Sequence, residues 1–310
     1  MVDGSETEAF VRDALAGLTA PTKTLPGKYL WDDAGSDLFD RICAHPDYYP
    51  TGHEMTLLPE VAADVAPIVG AGAGVVEFGA GASRKIRVLL DALAAPKAYV
   101  ALDISGDYLA AAIARLAPDY PGVTMTPVAA DYSKPIRLPE GVAGDNRLGF
   151  FAGTSIGNFS PDDAAGFLAR ARDTLGPSRF LVGADPTRDP ERLKRAYGAC
   201  DGLMPALHLN LLARMNRELG ADFAPDNFRH EARVVDDPFR VEAHLVAQRP
   251  AIYRLGGEEI RFAPGESIRT DTSHKYTPAA FRALAERGGW TPERMWLDQT
   301  GAFSLHLLRG

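Results

Sequence analysis

Between about Gly72 and Pro186, five short apolar runs alternate with amphipathic stretches: VVEFG (75–79), AYVALDIS (98–105), VTMTPVAADY (123–132), RLGFFAG (147–153) and RFLVGAD (179–185). Near-continuous apolar runs suit strands buried on both faces, and the intervals are long enough for the helical crossovers that parallel pairing needs. The predicted class is α/β, a doubly wound, Rossmann-like sheet with helices on both faces. Helix signals fill the intervals. Ser83 is placed to cap a helix through KIRVLLDALA. Ser160, Pro161, Asp162 and Asp163 supply a cap, a first-turn proline and acids that suit the dipole. Ala164, Phe167, Leu168 and Ala171 then recur at helical spacing and should face the sheet.

After Pro186 the texture changes. The stretch 190–223 reads as long helices, and 239–270 shows apolar alternation around a Gly-Gly turn, as antiparallel strands do. A second lobe is expected there. The closing MWLDQTGAFSLHLLRG reads as two strands around a turn that finish the edge of the first sheet. The 310 residues suffice for two modest domains, and 46% apolar with 24% charged residues is a globular balance. A net charge of −8 lacks the basic face that phosphate neutralisation needs, so no nucleic-acid partner is expected and a small molecule is. Cys43 and Cys200 form no CxxC pair, which disfavours a disulfide framework or thiolate zinc site and points to a reducing, cytoplasmic setting. The first residues have no basic stretch followed by an apolar run, and no run approaches a bilayer span, so a soluble protein without a signal peptide or membrane partner is expected. A monomer is the default expectation, which no residue pattern argues.

The sharpest local motif is EFGAGAS (77–83), where Gly79 and Gly81 stand between a strand and a helix and let a ligand approach the backbone. The third glycine of a dinucleotide fingerprint is missing, because position 84 is Arg84. Instead Glu77 lies at the first strand end and Asp103 closes the second, where a carboxylate accepts both ribose hydroxyls of an adenosyl ligand. Asp131 ends the third strand, placed for an adenine amino group. Two acids with a two-glycine loop and no pyrophosphate cradle point to S-adenosylmethionine, and hence to methyl transfer, in which alignment of donor and nucleophile supplies much of the acceleration. The competing reading makes Glu77 and Asp103 solvated strand-end acids.

Two further stretches, KYLWDDAGSDLFDRICAHPDYYPTGHE (28–54) and GFFAGTSIGNFSPDDAAGFL (149–168), together with RAYGACDG (195–202) and RTDTSHKYTP (269–278), resemble the histidine-specific, S-adenosylmethionine-dependent α-N-methyltransferases of ergothioneine biosynthesis. The likeness runs over nearly the whole chain. It implies a Rossmann-like methyltransferase domain, 53–187 with 276–310, and a second, smaller α+β substrate-binding lobe, 1–52 with 188–275. It also implies that Gly79, Lys85, Asp103, Asp131 and Tyr132 contact the cofactor. Asn158 and Tyr197 would grasp the α-amino acid end of the substrate, with Tyr48 and Gly153 beside them. Asn158 lies past a strand's carboxyl end, and its amide both donates to a carboxylate and accepts from an amine. An Asx turn would explain Asn158 equally. Tyr48 and Tyr197 read alternatively as core tyrosines, and Tyr49 competes for the role of Tyr48.

The chain departs from the family where an imidazole would be received. The family carries a Tyr in the first motif and a Glu two residues before a Ser in the last; the matching positions here are Trp31, Asp271 and Ser273. Asp271 keeps a charge to accept an imidazole N–H but is one methylene shorter, whereas Trp31 is bulkier and only donates. Ala243 stands where the family has a larger Met. L-Histidine is the expected substrate, methylated successively at its α-amine to the trimethyl betaine, hercynine. The alternatives are another aromatic amino acid such as tryptophan, a histidine ring nitrogen, a cofactor-binding regulator without turnover, or a nicotinamide oxidoreductase. Asn158 and Tyr48 are the expected catalytic pair, orienting an amine that must first lose its proton, and no side chain declares itself a dedicated base. His45 and His53 have no metal-ligand spacing, so no metal is expected; Asp271 reads alternatively as a turn cap, and His274 as a surface or hydrogen-bonded residue.

Overall fold

The computed structural model describes residues 4–81, 84–132, 134–139 and 146–310, so the cap expected of Ser83 lies outside the described residues. The chain divides into two compact units, Met1–Tyr48 with Asp189–Ser273 and Tyr49–Arg188 with His274–Gly310.

The larger unit is built on a seven-stranded sheet of order β11-β12-β5-β4-β1-β2-β3. Its parallel strands are β1 (Gly74–Phe78), β2 (Ala98–Asp103), β3 (Thr124–Ala129), β4 (Arg147–Phe151) and β5 (Arg179–Ala184). They are the five predicted runs, each ending one to three residues early, because the last residues of each run bend into the loops at the sheet's carboxyl edge. The closing hairpin, β11 (Thr291–Leu297) and β12 (Ser304–Arg309), adds antiparallel to β5 and completes that edge, as the closing stretch predicts. The chain order reverses between β1 and β4, and ligands of open α/β sheets bind at such a reversal, beyond the strand ends.

Strand alternation sorts side chains to two layers. Val75, Tyr99, Ala101, Leu148 and Phe150 pack with α3 (Tyr49–Val69), α4 (Arg84–Ala92) and α5 (Gly106–Leu116). Val76, Phe78, Val100, Leu102 and Phe151 pack with α6 (Pro161–Leu175) and α9 (Pro278–Arg287). On α6 the Ser160 hydroxyl accepts from Asp163 N at 3.2 Å, Pro161 opens the first turn, and Ala164, Phe167, Leu168 and Ala171 are all buried. The unit begins at Tyr49, the first residue of the continuous helix Tyr49–Val69.

The smaller unit carries α1 (Gly4–Leu18), α2 (Asp33–Cys43), α7 (Pro190–Gly198) and α8 (Leu203–Leu219). Its three-stranded sheet has the order β10-β7-β6, from β6 (Phe228–Asp236), β7 (Phe239–Ala247) and β10 (Ser267–His274), whose last residue already belongs to the larger unit. A hairpin of β8 (Ala251–Leu255) and β9 (Glu258–Phe262) turns at Gly256 and Gly257, and Phe223, Phe228, Tyr253 and Phe262 pack their rings around its root. Among the described residues no helix is long and apolar enough to cross a membrane.

Candidate active site

In the larger unit the loop after β1 makes the tight turn its glycines permit. Gly79 and Gly81 have φ of +70° and +47°, a region that disfavours any side chain, and the amides of Gly79 and Ala80 both donate to the Leu102 carbonyl. Asp103 is half-buried at the end of β2, with Oδ2 accepting from Gly81 N at 3.2 Å and Oδ1 from Ser105 N at 3.0 Å. A carboxylate has about four acceptor directions, so a pair of neighbouring hydroxyls can still be received. Asp131 stands half-buried past β3, with the Lys134 ammonium 3.8 Å away.

Tyr132 packs edge-on against Phe151, Phe159 and Phe167, and its hydroxyl lies 3.5 Å from where a Cβ on Gly79 would stand. Burial, with the Asp103 and Asp131 carboxylates nearby, pushes that hydroxyl upward in pKa, so it stays a donor. Glu77 is 2% exposed and accepts the Tyr99 hydroxyl at 2.5 Å. It alternates onto the face packed by α3 to α5, and burial pushes its carboxyl up to about 8, against which Lys85 acts.

Lys85, on α4, pairs with Glu54 at 2.6 Å, and Glu54 also accepts the Gly153 N–H at 2.8 Å. Glu54 escaped the sequence reading although it ends one of the quoted motifs, because nothing local marks an acid as buried. Asn158 closes a single helical turn, Ser155–Asn158, with its side chain exposed. Tyr49 donates to Asp185 Oδ2 at 2.5 Å, so its hydroxyl serves that carboxylate. His274 lies buried with Nδ1 3.1 Å from the Gly157 carbonyl, a hydrogen-bonded residue.

In the smaller unit an aromatic series forms, each ring edge-on to the next: Trp31 to Phe39 at 5.1 Å, Phe39 to Tyr48 at 5.9 Å and Tyr48 to Tyr197 at 5.7 Å. Tyr197 Oη then reaches Ser273 Oγ at 3.4 Å. Backbone hydrogen bonds between residues 23–25 and Arg269 lay the early chain beside β10, which puts Asp271 Oδ1 3.0 Å from where a Cβ on Gly27 would stand. Of the six sequence-derived positions in this unit, four, Trp31, Tyr48, Tyr197 and Ser273, are thus linked, with Asp271 on the same strand as Ser273. Phe39 was missed, since one aromatic on an amphipathic helix carries no signal of its own. Ala243 sits mid-strand in β7, 8% exposed, and its carbonyl accepts from Thr270 Oγ1 at 3.2 Å.

The first of these clusters suits S-adenosylmethionine. Asp103, Asp131 and Glu54 outnumber Lys85, which favours a cationic sulfonium over a dianionic pyrophosphate. Arg84, where a third glycine would serve a dinucleotide, is exposed. Among the described residues no group of three or more His, Cys, Asp or Glu side chains could hold a metal ion.

The chain matches, over residues 10–310, the family described as histidine-specific, S-adenosylmethionine-dependent methyltransferases. It is 38% identical to the histidine N-alpha-methyltransferase of Mycolicibacterium smegmatis, covering 98% of this chain and 95% of that protein. The histidine N-alpha-methyltransferase of Mycobacterium tuberculosis is 36% identical over 96% of this chain and 94% of its own. Ergothioneine biosynthesis protein 1 of Neurospora crassa is 31% identical over 92% of this chain, which spans 33% of that longer protein. The chain belongs to the S-adenosylmethionine-dependent, histidine-specific methyltransferase family.

Proposed function

We propose that the protein methylates the α-amine of free L-histidine, successively, toward the trimethyl betaine hercynine. One observation carries the reading. The family match runs through residues 189–273 as well as through the sheet, and that sheet alone, shared by many chemistries, would leave the substrate open.

We assign the larger unit chiefly to the cofactor and the smaller chiefly to the substrate. Bound S-adenosylmethionine supplies an electrophilic methyl on a sulfonium. Asp103 receives the ribose hydroxyls, Asp131 the adenine amino group, and Lys85, Gly79, Gly81 and Tyr132 complete the contacts. Glu77, buried against Tyr99, supports the loop from beneath rather than touching the ligand.

Asn158, which we group with Gly153 as a substrate residue, reads both halves of the amino acid's zwitterion, because its amide donates through nitrogen and accepts through oxygen. In the smaller unit we assign Tyr48 and Tyr197 to the substrate, Tyr197 through a hydroxyl already shared with Ser273. An ammonium has no lone pair, so the amine is held neutral as the new N–C bond forms and the S–C bond breaks, and its proton passes to solvent. Asp271 accepts the imidazole N–H. Trp31 fills the space that the shorter Asp271 and the small Ala243 leave. The thiols of Cys43 and Cys200, in no disulfide, are in keeping with a cytoplasmic setting, and we propose a monomer without a nucleic-acid partner.

Incubation with methyl-labelled cofactor and each free amino acid tests this reading: label should pass to histidine. Label in none would make the protein a non-catalytic cofactor binder, and label in tryptophan alone would reassign the pocket.

A further inference from the structure

Glu54 lies near the start of α3 with its side chain fully buried. A carboxylate out of water persists only where charge and hydrogen bonds replace its hydration. One oxygen is hydrogen-bonded and the other relies on charge: Oε1 takes the Gly153 N–H at 2.8 Å, and Oε2, which has no hydrogen-bond partner among the described residues, lies 2.6 Å from the Lys85 ammonium as an ion pair. Gly153 follows β4 with φ +68°, and a Cβ there would stand 3.2 Å from Lys85 Nζ, so the ammonium rests against that backbone. Three segments of the larger unit, the start of α3, the start of α4 and the chain leaving β4, therefore meet on one carboxylate.

Lys85 is otherwise a long side chain with several rotatable bonds, and fixing such a chain before binding removes an entropic cost from the binding step. Its side chain is 23% exposed, so the ammonium is held in place without being sealed off. The cofactor has one anionic group, the carboxylate of its methionyl end, and an ammonium recognises that group.

We propose that Glu54 is a positioning residue for the cofactor: it holds the Lys85 ammonium beside the Gly153 amide, ready for the methionyl carboxylate. This rests on the reading of Lys85 as a cofactor residue.

The test is calorimetric binding of S-adenosylhomocysteine to Glu54→Gln, Lys85→Met and the double variant, with the KM for S-adenosylmethionine and kcat measured alongside. Glutamine keeps the shape and the acceptor for Gly153 while removing the charge. Each single variant should bind about tenfold more weakly, with KM raised and kcat little changed, and the double variant should bind no worse than Lys85→Met. Undiminished binding by Lys85→Met would overturn the reading of Lys85 and the proposal with it. Weakened binding by Lys85→Met with unchanged binding by Glu54→Gln would overturn the role of Glu54 alone. Should Glu54→Gln fail to fold, the double variant leaves no buried charge unpaired; binding about tenfold weaker than Lys85→Met would then show that Glu54 acts by another route and sink the proposal.

Discussion

On the proposed assignment Asp103 serves the cofactor and Asn158 the substrate, and that division is open to substitution. Replacing Asp103 by Ala removes a carboxylate that holds the loop amide of Gly81 and, on the present reading, two ribose hydroxyls. S-adenosylhomocysteine affinity should fall at least about a hundredfold, since hydrogen bonds to a charged group are worth roughly 1.5–3 kcal/mol each. Circular dichroism should show the fold intact. Asn158→Ala should bind S-adenosylhomocysteine normally in the same titration and turn over no histidine, and equal loss of both ligands in each variant would contradict the two-site division. Asp271→Asn should raise the KM for histidine about tenfold, by removing the charge from the imidazole acceptor, and leave S-adenosylhomocysteine affinity alone. An unchanged KM would take Asp271 out of the pocket.

Elements are held by a few specific bonds, and two of them have calculable consequences. Ser160 caps α6, and Ser160→Ala should cost about 1 kcal/mol in chemical denaturation. Asp185, just past β5, accepts the Tyr49 hydroxyl at 2.5 Å and pairs with the fully buried Lys275 at 2.7 Å. Each of these three residues lies within three positions of a point where the chain leaves the larger unit. Asp185→Asn would strand a buried ammonium, so a loss of about 3–5 kcal/mol is expected in the same denaturation, and a near-neutral result would contradict the burial of that pair.

The element scale is also where the sequence was most and least legible. The strands β1 to β5 announced themselves because both faces are buried and their apolar runs are continuous. Strand β6, FRHEARVVD, did not, because Arg229, Glu231 and Arg233 pair with one another along its length and mask the alternation. The tight turn after β1 was readable from its two glycines. The Glu54–Lys85 pair and the Phe39 link depend on contacts between distant segments, which no local pattern encodes.

For the whole molecule, stability should peak near pH 6.5, because buried groups titrate abnormally on both sides. Burial drives His208 well below its ordinary value and lowers His230 to about 4 and His306 to about 3. The unfolded chain therefore binds more protons than the folded one below pH 6.5, and stability falls as pH drops from there through about 4. Glu77 acts oppositely, because burial raises it to about 8 and the folded state keeps a proton that the unfolded chain releases above its ordinary 4.5. Its contribution is full below pH 4.5 and is lost as pH rises through about 8. Between those ordinary values the three histidines outweigh the one carboxyl, and from 6.5 to about 8 the carboxyl sets the decline, with the raised Cys200 thiol and raised tyrosine hydroxyls adding to it at higher pH. Melting temperature against pH should show this maximum, and Glu77→Gln should flatten the alkaline limb; an unchanged limb would mean that Glu77 is not held protonated. The central claim is chemical, however, and product structure tests it most directly: mass and NMR analysis after incubating the protein with S-adenosylmethionine and L-histidine. The account predicts methyl groups on the α-nitrogen alone, accumulating to three, and a methyl on a ring nitrogen, or unaltered histidine, would contradict it.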